Sequence, residues 1–257
     1  MLAGSRVAIT GASSGIGREL TRELAAAGAK LVLNARREER LVALAEELRA
    51  RGAEVALAVG DITEQSARHA IIDAAQATFG GLDVLVNNAG IGAIGRFDEA
   101  SPERLRRLME VNFFALVELT RLALPLLKAG MRPMIVNVSS ILGHRGIPLY
   151  AEYCASKFAV CGFSEALRAE LTGTGVAVLV VSAGTTETEF FDSVLEKPAK
   201  MPWKAPRGAS AADVARATVR AMRRRKHEII PNFYGRLLLG LNRLSPRLVD
   251  WWMSRMV

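Results

Sequence analysis

Short apolar runs alternate along the chain with longer amphipathic segments. The apolar runs predict β-strands over 6–10, 30–35, 54–58, 84–87, 134–139 and 176–181. The amphipathic segments predict helices over 15–27, 38–51, 64–79, 102–128 and 151–171. Several strands are nearly continuous apolar runs, which suits a parallel sheet that is covered on both faces. The alternation therefore predicts one α/β domain with a doubly wound sheet.

The segment 187–209 interrupts this alternation. It follows the last predicted core strand and carries three prolines, two phenylalanines and a tryptophan. Irregular segments of this kind commonly cover a binding site. Because apolar side chains are a poor choice for a solvated loop, we predict a substrate lid over 187–209, with a plain surface connection as the alternative.

The C-terminal segment, 233–257, places leucine and tryptophan beside arginine. This composition suits an amphipathic helix that packs on a partner subunit or closes a pocket. It also suits a helix that lies on a membrane surface. We predict packing, with peripheral membrane contact as the alternative. Pro246 interrupts the pattern, so a single long helix is not expected.

Composition narrows the class of protein. The chain has 257 residues and a net charge of +8, and half of its residues are hydrophobic. No run of eighteen apolar residues predicts a membrane-spanning helix, and no apolar leader precedes the first strand, so we expect a cytoplasmic protein. Cys154 and Cys161 fall on one predicted helix, too far apart for a disulfide. No DNA-binding, RNA-binding or zinc-finger signature accompanies the basic charge, so neither a nucleic-acid partner nor a metal site is predicted.

A glycine-rich turn joins the first strand to the first helix and reads TGASSGIG over 10–17. Glycines at such a turn let the backbone approach a pyrophosphate, and the helix N-terminus supplies free N–H groups for its charge. The spacing G-x-x-x-G-x-G differs from the dinucleotide fingerprint G-x-G-x-x-G, but the strand-to-helix setting is the one that a dinucleotide site requires. The turn therefore predicts a dinucleotide cofactor.

The residues after the second strand favour the phosphorylated form of that cofactor. An NAD site carries an acidic group there for the ribose 2′-hydroxyl, and this chain has Ala35 followed by Arg36 and Arg37. Arginine pairs with a phosphate through two parallel hydrogen bonds. We therefore predict NADP(H) rather than NAD(H). The alternative, that the arginines are only the solvated start of a helix, applies more to Arg37 than to Arg36.

A tyrosine and a lysine, Tyr153 and Lys157, share one face of a predicted helix because four residues separate them. A free tyrosine has a pKa near 10, and a nearby ammonium lowers that pKa, so the pair is a candidate general acid and base. Ser140 falls at the carboxyl end of the preceding strand, where ligands bind in open α/β sheets. Its hydroxyl could hold a carbonyl oxygen. The NNAG segment, 87–90, ends another strand at the same edge.

Together TGASSGIG, NNAG, Asn112, Ser140 and YCASK resemble the short-chain dehydrogenase/reductase superfamily, and the likeness runs over 6–188. The resemblance implies a single Rossmann-type domain over 1–257, with a seven-stranded, mostly parallel sheet, helices on both faces, and assembly as a homodimer or homotetramer. It also implies a catalytic tetrad. Tyr153 exchanges the proton of the substrate oxygen, and Lys157 lowers the pKa of Tyr153 and holds the nicotinamide ribose. Ser140 polarises the substrate oxygen, and Asn112 supports a relay water.

The same resemblance implies the cofactor contacts along the chain. They are Gly11, Ser13, Ser14, Ile16 and Gly17 in the glycine turn, Arg36 at the 2′-phosphate, Asp61 and Ile62 at the adenine, Asn87 and Gly90 under the adenosine ribose, and Tyr153, Lys157 and Thr188 at the nicotinamide. One departure is that the family's Pro-Gly after the sixth strand is Ala183-Gly184 here, which loosens that turn.

The implied substrate pocket is largely apolar and includes Leu142, His144, Leu149 and Phe190. An apolar pocket favours a lipophilic substrate, although a loop histidine such as His144 can also be merely solvated. We predict an NADP(H)-dependent oxidoreductase that transfers a hydride between nicotinamide and a secondary alcohol or carbonyl. A catalytically silent NADP(H)-binding scaffold or redox sensor is the alternative. A sugar-nucleotide epimerase or dehydratase shares the tyrosine and lysine but usually carries a larger C-terminal domain.

Overall fold

A computed structural model describes residues 2–190, 194–195 and 208–255. Its strands are β1 (Arg6–Thr10), β2 (Lys30–Ala35), β3 (Val55–Val59), β4 (Val84–Asn87), β5 (Met134–Ser140), β6 (Ala177–Ala183), β7 (Thr186–Glu187), β8 (Ala209–Ser210) and β9 (Glu228–Ile229). Its helices are α1 (Gly15–Ala26), α2 (Glu38–Arg49), α3 (Gln65–Phe79), α4 (Pro102–Met109), α5 (Ala115–Lys128), α6 (Ala151–Glu170), α7 (Ala211–Arg223), α8 (Phe233–Leu244) and α9 (Pro246–Ser254). The six predicted strands are all present, with ends that shift by one or two residues.

Seven strands form the main sheet in the order β3-β2-β1-β4-β5-β6-β9, and every neighbouring pair is parallel. The predicted doubly wound, seven-stranded sheet is therefore confirmed. Its seventh strand, β9, pairs through only two residues, which is too short for a period-2 pattern to reveal. The order reverses between β1 and β4, and open α/β sheets bind ligands beside the carboxyl ends of the strands at such a point.

Apolar layers cover both faces of the sheet. On β1, Val7 and Ile9 face the layer that α1, α2 and α7 complete, whereas Ala8 faces the layer that α3, α5 and α6 complete. Burial on both faces explains why the central strands read as continuous apolar runs. Because helices pack on both faces of the sheet, the loops at its carboxyl edge begin at well-packed strands.

The predicted helix over 102–128 is not continuous. A π-helical turn, Glu110–Phe114, separates α4 from α5 and carries Asn112. There Asn112 Nδ2 donates to Ile91 O and to Ser156 Oγ, at 3.0 Å each. Single π turns inside helices commonly occur at functional sites. The amphipathic pattern did not reveal this turn because it continues on both sides of it.

The C-terminal segment forms two helices, α8 and α9, which are separated at Ser245. The break falls where Pro246 is expected to end a continuous helix. Within the described ranges, no helix combines the length and the apolar character needed to cross a membrane.

Candidate active site

The glycine turn brings two stretches of backbone unusually close together. Gly11 has a φ of +65°, and a Cβ there would lie 2.9 Å from Ala89 Cα. A Cβ on Gly17 would lie 2.3 Å from Gly11 O, so only glycine fits at either position. Asn88 Nδ2 donates to Thr10 O at 3.0 Å and to Gly11 O at 3.2 Å, which holds the turn against the end of β4. The sequence analysis gave Asn88 no separate role, although the NNAG motif contains it.

A cavity of about 830 Å³ extends along the carboxyl edge of the sheet, from the glycine turn to α8. This volume falls within the usual range for small-molecule and cofactor sites. Most of the predicted site residues line it: Gly11, Ser13, Ser14, Ile16, Arg36, Asp61, Ile62, Gly90, Ser140, Leu142, Tyr153, Lys157, Thr188 and Phe190.

The structure corrects several predicted contacts, among the residues that it describes. Asn87 points into the core, where its Nδ2 donates to Thr120 Oγ1 at 3.0 Å and to Asn137 Oδ1 at 2.9 Å. Because successive side chains of a strand point to opposite faces, the Asn87 side chain faces the core and not the cavity. Gly17 lies behind the turn and acts by allowing it to close. Leu149 has a φ of +65° and accepts a hydrogen bond from Gly95 through its carbonyl, outside the cavity lining.

His144 is the other corrected contact. Its Nε2 lies 2.7 Å from Glu228 Oε1 and 2.9 Å from Ser182 Oγ, and His144 is not among the residues that line the cavity. The substrate role predicted for His144 therefore does not hold, because its ring faces β6 and β9. Glu228 lies far from His144 in the sequence, so no local pattern could pair the two residues.

The predicted catalytic residues come together at the floor of the cavity. Lys157 Nζ lies 5.8 Å from the centre of the Tyr153 ring and donates to Val138 O at 3.1 Å. Ser140 and Tyr153 both line the cavity, and the Ser140 side chain lowers the pKa of Tyr153. A Cβ on Gly90 would lie 3.2 Å from Asn112 Oδ1 and 3.6 Å from Lys157 Nζ, so these two groups approach the same point of the backbone.

Burial favours the neutral forms of the tyrosine and the lysine. It raises the pKa of Tyr153, and the Ser140 side chain offsets only part of that rise. Burial also lowers the pKa of Lys157 to about 8. The pattern of the sequence predicts that the ammonium of Lys157 lowers the pKa of Tyr153. In this structure the pKa of Tyr153 is raised instead, because burial removes the hydration that a phenolate needs.

Two arginines, Arg36 and Arg37, line the end of the cavity beside β2. Arg36 Nη1 lies 3.6 Å from Asp61 Oδ2, and 59% of the Arg36 side chain is exposed. Arg37 Nη1 lies 3.4 Å from Glu189 Oε2, and Arg40 contacts the same carboxylate. Arg37 is therefore paired with the start of the predicted lid and is not merely solvated.

The helices α8 and α9 cover the end of the cavity that lies away from the glycine turn. A Cβ on Gly235 would lie 2.8 Å from Ile141 Cγ2, so α8 rests directly on the loop after β5. Seven residues of these helices line the cavity: Tyr234, Gly235, Leu237, Leu238, Leu241, Trp252 and Met253. The sequence analysis allowed for a tail that closes the pocket but assigned none of these residues to the substrate site.

The predicted lid over 187–209 is described only in part, because 191–193 and 196–207 lie outside the described residues. Its first residues contact the site. Thr188 packs against Gly15, and the Phe190 ring lies 5.7 Å from the Tyr153 ring. Leu195 N donates to Gly92 O at 2.8 Å.

Comparison with known proteins agrees with this arrangement. Residues 5–199 match the family model described as short chain dehydrogenase. The chain belongs to the short-chain dehydrogenase family. It is 32% identical over 257 residues to the ketoacyl reductase HetN of Nostoc, which covers 97% of this chain and 88% of that protein. It is 37% identical over 260 residues to a hydroxysteroid 11-beta-dehydrogenase 1-like protein of Xenopus tropicalis, which covers 99% of this chain and 88% of that protein.

Two solved structures share most or nearly all of the fold. One from Burkholderia phymatum, in complex with NAD, superposes with a TM-score of 0.87 at 28% identity, over 96% of this chain and 95% of that chain. An alcohol dehydrogenase from the archaeon Thermococcus sibiricus, complexed with 5-hydroxy-NADP, gives a TM-score of 0.78 at 28% identity, over 88% of this chain and 95% of that chain. This short-chain dehydrogenase is thus an oxidoreductase of a family that uses a nicotinamide cofactor.

Proposed function

We propose that this short-chain dehydrogenase uses NADP(H) to interconvert a lipophilic secondary alcohol and the corresponding carbonyl compound. One observation carries the proposal. Ser140, Tyr153 and Lys157 meet at the floor of a single cavity that joins a phosphate-binding turn to an apolar pocket.

The proposed chemistry assigns one task to each of these side chains. The bound nicotinamide supplies or accepts the hydride. The Ser140 hydroxyl holds the substrate oxygen beside Tyr153, and Tyr153 donates its proton to that oxygen during reduction or accepts the proton during oxidation. Lys157 holds the ribose next to the reacting carbon. The Phe190 ring, which packs on Tyr153, helps to exclude water from the reacting atoms.

The residues at the adenosine end fit a cofactor that carries a 2′-phosphate. Ala35 offers no carboxylate for a ribose 2′-hydroxyl, and Arg36 follows it on the cavity wall. Because arginine pairs with phosphate through two hydrogen bonds, the preference for NADP(H) rests on Arg36, and Arg37 adds positive charge.

Apolar side chains at the other end of the cavity support a lipophilic substrate. Ile141, Leu142 and Phe190 contribute from the core of the domain, and Leu237 and Leu241 contribute from α8. Two relatives are named as a ketoacyl reductase and a hydroxysteroid dehydrogenase-like protein, which agrees with a carbonyl or hydroxyl as the reacting group.

The wild-type protein is first screened for substrates among ketones, aldehydes and quinones, with NADPH as cofactor and NADH as control. The decisive variant, Tyr153→Phe, is then assayed on the best of these substrates. Because the general acid is lost, we expect turnover of the best substrate to fall by about a thousandfold, with NADPH binding retained. Tyr150→Phe is the matched control, since Tyr150 also lines the cavity, with its ring 6.5 Å from that of Tyr153. A wild type that binds NADPH yet converts no compound would favour the silent scaffold or redox sensor.

The proposal extends to assembly and location. We propose a cytoplasmic homodimer or homotetramer that assembles through the segments 102–128 and 151–171, with no nucleic-acid partner. Each segment leaves a large apolar side chain exposed, Phe114 in the π-helical turn before α5 and Phe158 on α6.

Peripheral membrane contact through α8 and α9 is also proposed. Leu244, Leu248, Trp251 and Trp252 are each more than half exposed on these helices. The same segment carries Arg236, Arg243, Arg247 and Arg255, which suits an anionic lipid surface. Co-sedimentation with phosphatidylglycerol vesicles tests this contact. We expect the wild type to bind these vesicles and the double variant Leu244→Ser/Trp251→Ser to lose that binding. Phosphatidylcholine vesicles are the control, and no binding to either vesicle would exclude it.

A further inference from the structure

A polar cluster lies behind the loop that follows Ser140. His144 Nε2 is 2.7 Å from Glu228 Oε1, and Ser182 Oγ donates to the same carboxylate oxygen at 2.7 Å. Only 22% of the His144 side chain and 35% of the Glu228 side chain are exposed. These side chains lie outside the described lining of the cavity, so the proposed chemistry gives them no task.

The histidine and the glutamate form an ion pair at neutral pH. Hydrogen bonds to Cys161 and Glu228 raise the pKa of His144 to about 10, although burial opposes the rise. The hydrogen bond from His144 lowers the pKa of Glu228, and the charge of Arg168 lowers it further. The electrostatic attraction between a half-buried cation and a half-buried carboxylate is stronger than that of an exposed pair.

On one side, this ion pair is joined to the loop that carries Ser140. His144 directly follows the short 3₁₀ turn Ile141–Gly143, and its backbone N donates to Ile141 O at 3.1 Å. Ser140 caps the same turn, because its Oγ accepts a hydrogen bond from Leu142 N at 3.1 Å. Glu228 belongs to β9, so the ion pair ties the Ser140 loop to the edge of the sheet.

On the other side, the cluster reaches the helical turn that carries Lys157. Cys161 Sγ lies 3.7 Å from His144 Nε2 and 3.3 Å from Ser139 Oγ. Ser139 Oγ in turn donates to Lys157 O at 3.2 Å. A Cβ on Gly143 would lie 2.7 Å from both Cys161 Sγ and Lys157 O, so the loop is in direct contact with α6.

We propose that His144 and Glu228 are positioning residues, which fix the Ser140 loop against β9 and α6 and so set the placement of Ser140 relative to Lys157. The inference rests on the proposed function, because Ser140 and Lys157 are the groups assigned there to the substrate and the cofactor. Neither positioning residue touches a reacting atom. Their effect is geometric, and a displacement of about 1 Å at a reacting centre can cost about a hundredfold in rate.

Single and double charge-neutralising variants test the inference. His144→Gln and Glu228→Gln are each expected to lower kcat about tenfold, with KM changed less than about twofold, since apolar contacts bind the substrate. Because the two residues act as one unit, the double variant is expected to lose no more than either single variant. Binding of adenosine 2′,5′-bisphosphate, which probes only the Arg36 end, should stay unchanged. Independent losses that multiply, or an unchanged kcat, would overturn the inference.

A matched control separates positioning from general loss of stability. Arg22→Gln breaks the Arg22–Glu47 ion pair between α1 and α2, whose side chains are 34% and 28% exposed, and this pair is remote from Ser140. We expect Arg22→Gln to lower the melting temperature without lowering kcat. Should His144→Gln or Glu228→Gln not fold, Ser182→Ala removes a single hydrogen bond to Glu228 and is assayed in the same way.

Amide hydrogen exchange tests the inference without any substrate. The amides of 141–145 are expected to exchange faster in His144→Gln and Glu228→Gln than in wild type, and to be unchanged in Arg22→Gln. Equal exchange in all four proteins would overturn the positioning role even if no compound is ever turned over. A wild type that converts nothing in the screen, yet shows the expected exchange, refutes the proposed function alone.

Discussion

Tyr153 and Lys157 share one face of α6, and both side chains are almost fully buried. In such surroundings a charge loses more from dehydration than it gains from a partner at the distance seen here. The protein alone therefore favours a phenol beside an amine that titrates near pH 8. At the scale of single residues, burial determines the protonation of the site more than the spacing of the pair does.

The pKa of Lys157 predicts how the stability of the fold changes with pH. Below about pH 8, Lys157 is charged in both the folded and the unfolded chain, so its burial has the full desolvation cost. Between about pH 8 and 10.5, the folded chain has released the proton and the unfolded chain retains it. The free energy of unfolding of wild type relative to Lys157→Met should therefore rise over this range, by up to about 3 kcal/mol.

Urea denaturation at a series of pH values measures this rise in stability. Lys30→Met, which removes a far more exposed ammonium, is the control. A difference between wild type and Lys157→Met that stays flat from pH 7 to 10.5 would contradict the prediction.

Arg36 carries the second prediction at this scale. Arg36→Ser removes the proposed charged partner of the 2′-phosphate, so we expect the Kd of NADPH to rise about 30-fold, with little change for NADH. Isothermal titration with both cofactors measures the two constants. Arg37→Ser, which breaks a contact with Glu189, is expected to have a smaller effect. Tighter binding of NADH than of NADPH by wild type would refute the predicted preference.

At the scale of elements, α8 packs against the loop that follows β5. Its two inner glycines differ sharply in their surroundings. A Cβ on Gly235 would lie 2.8 Å from Ile141 Cγ2, whereas a Cβ on Gly240 would meet nothing within 4 Å. The same substitution at these two positions therefore reports whether contact with the loop after β5 holds α8 in place.

Gly235→Ala and Gly240→Ala should have opposite effects. The methyl group at 235 overpacks the contact with Ile141, so we expect a loss of about 1–3 kcal/mol in stability and a raised KM, with NADPH binding unchanged. Gly240→Ala should stabilise the helix by about 0.5–1 kcal/mol, because alanine loses less backbone entropy than glycine. Thermal melting and steady-state kinetics measure both effects, and equal behaviour of the two variants would argue against the packing of α8 on the loop.

For the whole molecule, the proposed assembly depends on the outer faces of the segments 102–128 and 151–171. Phe114 and Phe158 are 48% and 45% exposed, and exposed aromatic side chains of this size favour a covered interface. We expect Phe114→Glu/Phe158→Glu to yield a monomer, since two carboxylates on each subunit would be buried against their copies. Light scattering after size exclusion gives the mass. Met131 is an apolar residue outside these segments, and 77% of it is exposed. As a control, Met131→Glu should therefore leave the assembly intact.

The sequence by itself determined six strands of the main sheet, most of the helices between them and the residues proposed for catalysis. Strand and helix periods are local properties, and the glycine turn, Ser140, Tyr153 and Lys157 are recognised from their spacing. Only the tertiary structure decided that Asn87 points into the core, that His144 pairs with Glu228, and that α8 closes the pocket. The physical reason is that these outcomes depend on partners distant along the chain, and no local pattern of apolar and polar residues records such partners.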